Sequence, residues 1–345
     1  MIWVLLLLLL TACSTIDDDL SNCPAVPTPP AGTTFTVGYD LTLVTNLTTE
    51  LSTELTTVTD VNVASALRSH LSSVFTDYAH DVNLSFYDTE GDSVLLQQDR
   101  HEMEANQASY SLNLPMRHYM HIAVANIDID PTVSLASDRY CHTSSLQQAA
   151  ADTVPSHVTG IFTARMPMEV LEGVDQQFNV HLYMANCAAA LVVDTLGSGI
   201  RELKVFTTGF ATGMNIADSV YVYPTRSPIV RTTLVDSEAP GTMTFSSVSF
   251  PSRDFRPSRT VIETTDPFEA ATAAESLWEF RVYAKLADGS TTESVLHIAT
   301  PLRAGQMRVV KARTSDDGAV RSTDPQVSVS ITTQWSEGGH YESEL

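Results

Sequence analysis

Asp81-Val82-Asn83-Leu84-Ser85-Phe86-Tyr87-Asp88, followed by Thr89-Glu90-Gly91-Asp92 and then by 93–97, sets apolar against polar side chains on both sides of a glycine-containing turn. Successive side chains of a strand point to opposite faces, so this period of two marks half-buried strands, and two such runs about a short turn make a β-hairpin.

The same pattern extends outward in both directions. Upstream, Phe35, Val37, Tyr39, Leu41 and Leu43 alternate with polar residues over 34–45, where folded structure begins. The Thr-rich stretch 47–59 is ambiguous, with Leu51, Leu55 and Val58 at helical spacing but weak helix formers between them. Asp60 reads as an N-cap, and Val63, Leu67, Leu71, Val74, Phe75 and Tyr78 repeat at three and four residues, which predicts one amphipathic helix. Downstream, Tyr110, Leu112 and Leu114 alternate, Pro115-Met116-Arg117 turns the chain, and 119–127 is mostly apolar. After a mixed, polar 134–151 come strand patterns at 159–168, 177–184, 203–207, 219–223, 242–249, 277–286, 294–300, 306–314 and 327–335. Asp288-Gly289 is a tight-turn signal, and Val327, Val329, Ile331 and Trp335 share one face. Regular short strands with one early helix predict a mainly β chain of β-sandwiches.

At 345 residues the chain is longer than one hydrophobic core usually serves, so two domains are expected. Its formal net charge of −22, with only 19 Lys and Arg, speaks against nucleic-acid binding and against adhesion to anionic lipid, since both require basic surface.

At the amino end, 2–10 is uninterruptedly apolar but too short to cross a hydrocarbon core about 30 Å thick, so it reads as a signal-peptide segment. It contains no Lys or Arg and ends in Leu10-Thr11-Ala12-Cys13. That Leu-x-Ala-Cys resembles the lipobox of bacterial lipoproteins, which implies cleavage before Cys13 and acylation of its sulfur. The alternative is a simple secretory signal in which Cys13 is an ordinary cysteine. Asp17, Asp18 and Asp19 follow. They are either a solvated spacer or, by resemblance to lipoproteins of Bacteroidetes, a signal for export to the outer face of the outer membrane. Pro27, Pro29 and Pro30 give 24–31 the character of a semi-rigid stalk.

Besides Cys13 the cysteines are Cys23, Cys141 and Cys187, with no C-x-x-C and no Cys/His set at zinc spacing. An exported chain meets an oxidising compartment, which favours one disulfide and one spare thiol. Cys187 lies in the apolar run 182–193 and is expected as a buried free thiol, leaving Cys23 and Cys141 as the favoured pair; spacing alone does not fix the connectivity.

No catalytic constellation, cofactor fingerprint or metal site emerges, so no enzyme is predicted. His101-Glu102-Met103-Glu104 lacks the second histidine of a zincin, and Asn126-Ile127-Asp128-Ile129-Asp130 lacks the glycine and final glutamate of a calcium loop. His118 and His121 fall on opposite faces of a strand. Asp92-Ser93-Val94, Asp152-Thr153-Val154, Asp194-Thr195-Leu196 and Asp218-Ser219-Val220 resemble the O-glycosylation sequon of Bacteroidetes, a pattern short enough to recur by chance.

Several stretches in order resemble the FimB/Mfa2 family of fimbrial anchor and minor-subunit lipoproteins of Bacteroidales. They are the lipobox with Asp18-Asp19-Leu20-Ser21-Asn22-Cys23 behind it, Phe35 with Tyr39-Asp40, the Asp81 hairpin, Leu112-Asn113-Leu114-Pro115, Asp288-Gly289, Pro301-Leu302-Arg303-Ala304-Gly305, and the last strand pattern with Trp335 ahead of a glycine pair. Arg117-His118 stands where the family pattern has a turn glycine, and Met184-Ala185-Asn186-Cys187 where it tends to place a basic residue. The resemblance implies two tandem transthyretin-like Greek-key sandwiches. The signal peptide is then 1–12, the lipidated tether 13–32, and the domains 33–184 and 185–345. It further implies no cofactor and attachment to outer-membrane lipid through Cys13. The implied partner is a fimbrial shaft subunit, seated by strand addition at a sheet edge, with 327–335 as the candidate strand. The alternative reading is a surface glycan-binding lipoprotein beside an outer-membrane sugar importer, which needs exposed aromatics; Trp278 and Trp335 are read as core or strand-edge residues instead.

Overall fold

The computed structural model describes residues 33–76, 78–104, 108–137, 139–195, 199–254 and 276–334. Within them the chain is mainly β, with two early helices and four sheets. The first sheet has the order β3 (Leu95–Glu102), β2 (Asp81–Asp88), β5 (His118–Ala125), β9 (Phe162–Glu169), β10 (Gln176–Met184), β1 (Thr34–Val44), β4 (Ser109–Pro115). β9 and β10 pair only at Tyr183 with Thr163 and Met184 with Phe162, so the sheet folds over at that corner. The β10-β1-β4 strip then lies across a core from the other four strands. Tyr39 of β1 meets Phe86 of β2 and His121 of β5 at ring distances of 6.2 and 5.4 Å, and its hydroxyl donates to Met168 Sδ of β9 at 2.7 Å.

A five-stranded sheet has the order β16 (Thr233–Val235), β17 (Thr242–Ser249), β11 (Cys187–Asp194), β20 (Met307–Thr314), β21 (Val320–Ser322). A six-stranded sheet has the order β22 (Val327–Gln334), β19 (Thr291–Ile298), β18 (Trp278–Leu286), β12 (Ile200–Thr208), β15 (Ile229–Arg231), β8 (Thr153–Val154). β11 explains the long apolar run, because both its faces are covered. Cys187, Ala189, Leu191 and Val193 join Phe280, Val282, Leu296 and Val310 in one core; Ala188, Ala190 and Val192 join the helices in another. The fourth sheet, β14 (Val220–Val222), β13 (Gly213–Asn215), β7 (Ser145–Gln148), β6 (Val133–Ala136), closes a third core around Tyr87, Ile122, Val124 and Phe250. Pairing of β8 with β15 and of β7 with β13 crosses residue 184.

The predicted helix is α2 (Val61–Val74), with the Asp60 carboxylate accepting from the amides of Asn62 and Val63 as an N-cap should. The expectation of a single early helix needs correction. α1 (Leu47–Leu55) occupies the ambiguous Thr-rich stretch, because Leu47, Leu51 and Leu55 form a buried stripe. Tertiary packing outweighs the weak propensity of the residues between them. Glu54 Oε2 accepts from the amide of Val309 at 2.7 Å and Lys311 Nζ donates to the carbonyl of Thr57 at 2.8 Å, fixing α1 on β20.

Candidate functional site

The candidate exchange strand, 327–335, stands as β22 at the edge of the six-stranded sheet; Trp335 lies outside the described residues. β22 pairs antiparallel with β19 over eight positions, from Val327 opposite Ile298 to Gln334 opposite Thr291. Its sequence alternates, Val-Ser-Val-Ser-Ile, so Val327 is buried and Val329 packs against the second core while Ser328 and Thr332 face solvent. An edge strand keeps one row of backbone donors and acceptors without sheet partners, which is the chemistry strand addition uses.

On the sheet face away from the second core a polar chain crosses three strands. His297 of β19 lies with Nδ1 3.0 Å from Glu279 Oε1 of β18 and Nε2 2.9 Å from Ser330 Oγ of β22. A carboxylate only accepts, so Nδ1 carries the proton and, in the neutral ring, Nε2 accepts from the Ser330 hydroxyl. Arg281 Nη2 approaches Glu279 Oε2 at 3.4 Å. Burial pushes the Glu279 carboxyl up, but the His297 hydrogen bond and the charges of His297 and Arg281 outweigh it and hold Glu279 below its ordinary range. Sequence reasoning missed this chain, whose members lie on three strands; the only local signal was a polar residue at alternate positions of β18.

The other singled-out residues are accounted for one by one. Cys13, Asp17, Asp18, Asp19 and Cys23 lie outside the described residues. Cys141 and Cys187 are buried and, among the described residues, unbonded. Burial pushes the Cys187 thiol well above its ordinary range. The oxygens of the calcium-like run are used internally. Asn126 Oδ1 accepts from the amide of His80, and the two Asp130 oxygens accept from Thr132 and Val158. Among the described residues no group of His, Cys, Asp and Glu is arranged to hold a metal ion. His118 is exposed beside Glu169, whereas His121 is fully buried. Trp278 is buried in the second core with its indole N–H donating to the Thr300 carbonyl at 3.0 Å.

No family model matches the chain, and no curated protein matches it. Solved structures do. The fimbrial anchor protein Mfa2 from Porphyromonas gingivalis matches over 86% of this chain and 97% of its own, at 10% identity and a TM-score of 0.43. A candidate polysaccharide-binding protein from Bacteroides thetaiotaomicron matches over 85% and 97%, at 8% identity and 0.49. A candidate cell adhesion protein from Bacteroides eggerthii matches over 89% and 98%, at 11% identity and 0.46. The chain is a structural match to the fimbrial anchor Mfa2 and to candidate adhesins of Bacteroides.

Proposed function

We propose that this chain is an outer-membrane lipoprotein that anchors a fimbria and helps assemble and terminate it by strand-addition contact with a shaft subunit. The observation that carries the reading is the pairing of a lipobox at one end of the chain with an edge strand, β22, near the other. In this reading acylated Cys13 holds the protein in the membrane; two or three acyl chains give firm attachment where one is marginal. Asp17, Asp18 and Asp19 direct it to the cell surface. The Pro-rich tether, 13–32, carries two tandem β-sandwich domains, 33–184 and 185–345, with Cys23 bonded to Cys141. Strand addition at β22 supplies main-chain hydrogen bonds, and the alternating Val327, Val329 and Ile331 supply side-chain register.

The test is a crosslinking pull-down of the surface-expressed protein from its own cells beside a Cys13→Ala variant, read by mass spectrometry. Filament subunits recovered with the natural chain, N-terminal lipid on Cys13, and filaments shed by the variant are the expected results. Recovery of sugar-importer components without a filament subunit contradicts the reading. Non-reducing peptide mapping of the same sample is expected to give a Cys23–Cys141 crosslinked peptide.

A further inference from the structure

The chain enters β1 at Thr34, and three strand-to-strand connections, β2–β3, β4–β5 and β9–β10, surround that entry. Thr34 pairs with Pro115, which places the β4–β5 tip, with Met116, beside it. β10 runs parallel to β1 with Gln176 opposite Val37, so Val174, two residues earlier, reaches the same level. The tips are tied together: the Val170 amide donates to the Arg117 carbonyl at 2.9 Å, His118 pairs with Glu169 at 3.5 Å, and the Thr89 amide of the β2–β3 turn donates to the His118 carbonyl at 3.3 Å. On this tied pole Met116, Leu171 and Val174 are 43%, 42% and 51% exposed. They are apolar side chains on the connections between strands, where nothing in the core requires them.

We propose that this pole is a membrane-contact face, whose Met116, Leu171 and Val174 dip into the headgroup region of the leaflet that holds the tether. The inference rests on the lipoprotein reading for its setting. Residues 13–32 end at this pole and, as 20 residues, reach at most about 70 Å. Such a tether brings the pole to the leaflet without dictating orientation, and a short linker gives an effective concentration in the millimolar range, so three side chains suffice for a contact too weak to act untethered. Glu90, Asp92, Glu172 and Asp175 sit on the same tips. Carboxylates next to a bilayer are repelled by anionic headgroups, so the surface fits a neutral, zwitterionic leaflet and disfavours an acidic one.

The test uses the chain from Cys13 onward with Cys23→Ser, coupled through Cys13 to a maleimide phospholipid in phosphatidylcholine vesicles. Chemical coupling makes the outcome independent of whether cells acylate Cys13, so failure of the lipid reading and failure of the contact are told apart. Leu171→Trp is compared with Leu234→Trp on β16, a still more open position on a strand packed by α2. The expected result is a blue shift and spin-labelled-lipid quenching at 171 but not at 234, lost when Met116 and Val174 are changed to Ser. Replacing part of the phosphatidylcholine by phosphatidylglycerol should weaken the signal, and salt should restore it. Equal quenching at 171 and 234, or a stronger signal on anionic vesicles, overturns the proposal; unchanged thermal melts verify that the variants are folded.

Discussion

β11 and β22 are both eight-residue strands rich in valine or alanine, yet they hold opposite places. β11 has a partner on each side, β17 antiparallel and β20 parallel, and both faces are buried. Among the described residues β22 has one sheet neighbour, one packed face and one wet face. The side chains differ accordingly. Ala188, Ala189 and Ala190 allow close packing above and below β11, while the Ser-Val alternation of β22 packs one face on the second core and leaves the other polar. The contrast separates a strand fixed on both sides and both faces from one whose outer edge stands free of a sheet partner among the described residues.

The largest expected effect breaks the comparison at β11. Leu191→Ala removes a fully buried side chain between two sheets and should destabilise the protein by roughly 2–5 kcal/mol, read by chemical denaturation. Val329→Ala, on the half-buried face of β22, should cost clearly less than Leu191→Ala under the same conditions.

Acid titration sharpens the contrast, because the two strands answer in different windows. His157 packs edge-on against Phe250 at 4.9 Å and lies 3.4 Å from the Asn186 amide just before β11. Burial pushes its pKa down to about 4, the Asp130 charge offsetting only part of this. The unfolded chain therefore binds a proton that the folded chain refuses between about pH 6.5 and 4, and stability should fall as pH drops through that window, by roughly 3 kcal/mol at about 1.4 kcal/mol per unit. His121, also held down to about 4 by burial, adds to the same slope. His157→Gln should reduce this slope by about half and leave the His121 part in place.

Glu279 of β18, joined to β22 through His297, behaves the other way. Its folded pKa lies below its unfolded one, so its contribution is complete above about 4.3 and disappears only as pH falls through the lower folded value. Glu279→Gln should remove this deeper acid step and leave the His157 window untouched. The smallest effect is at Ser330→Ala, which deletes one hydrogen bond to His297 and should cost about 1 kcal/mol. Hydrogen exchange should quicken at β22 and β19 amides and stay unchanged at β11.

Much of the fold was legible because it is local. The β2–β3 hairpin, the β18–β19 hairpin turning at Gly289 with φ +89°, and α2 with its Asp60 cap all declare themselves within a dozen residues. α1 did not, because Ser52 and Thr53 return their hydroxyls to the carbonyls of Thr48 and Thr49, a side-chain use that competes with helix in short-range reasoning, while only tertiary burial reveals the Leu47-Leu51-Leu55 stripe. The parallel pairs β1 with β10 and β11 with β20 join segments more than a hundred residues apart, and no period in the sequence encodes such a partner. For the site, the alternation of β22 was visible in the sequence, whereas Glu279, His297 and Ser330 became a unit only when three strands were laid side by side.

The most direct test of the central claim places a photo-crosslinking residue at Ser328, exposed on β22, and another at Leu234 as a control, in cells assembling filaments. The account predicts a covalent adduct with a filament subunit at 328 and none at 234. Crosslinks from 328 confined to this chain's own β19, in cells whose filaments remain attached, would contradict it.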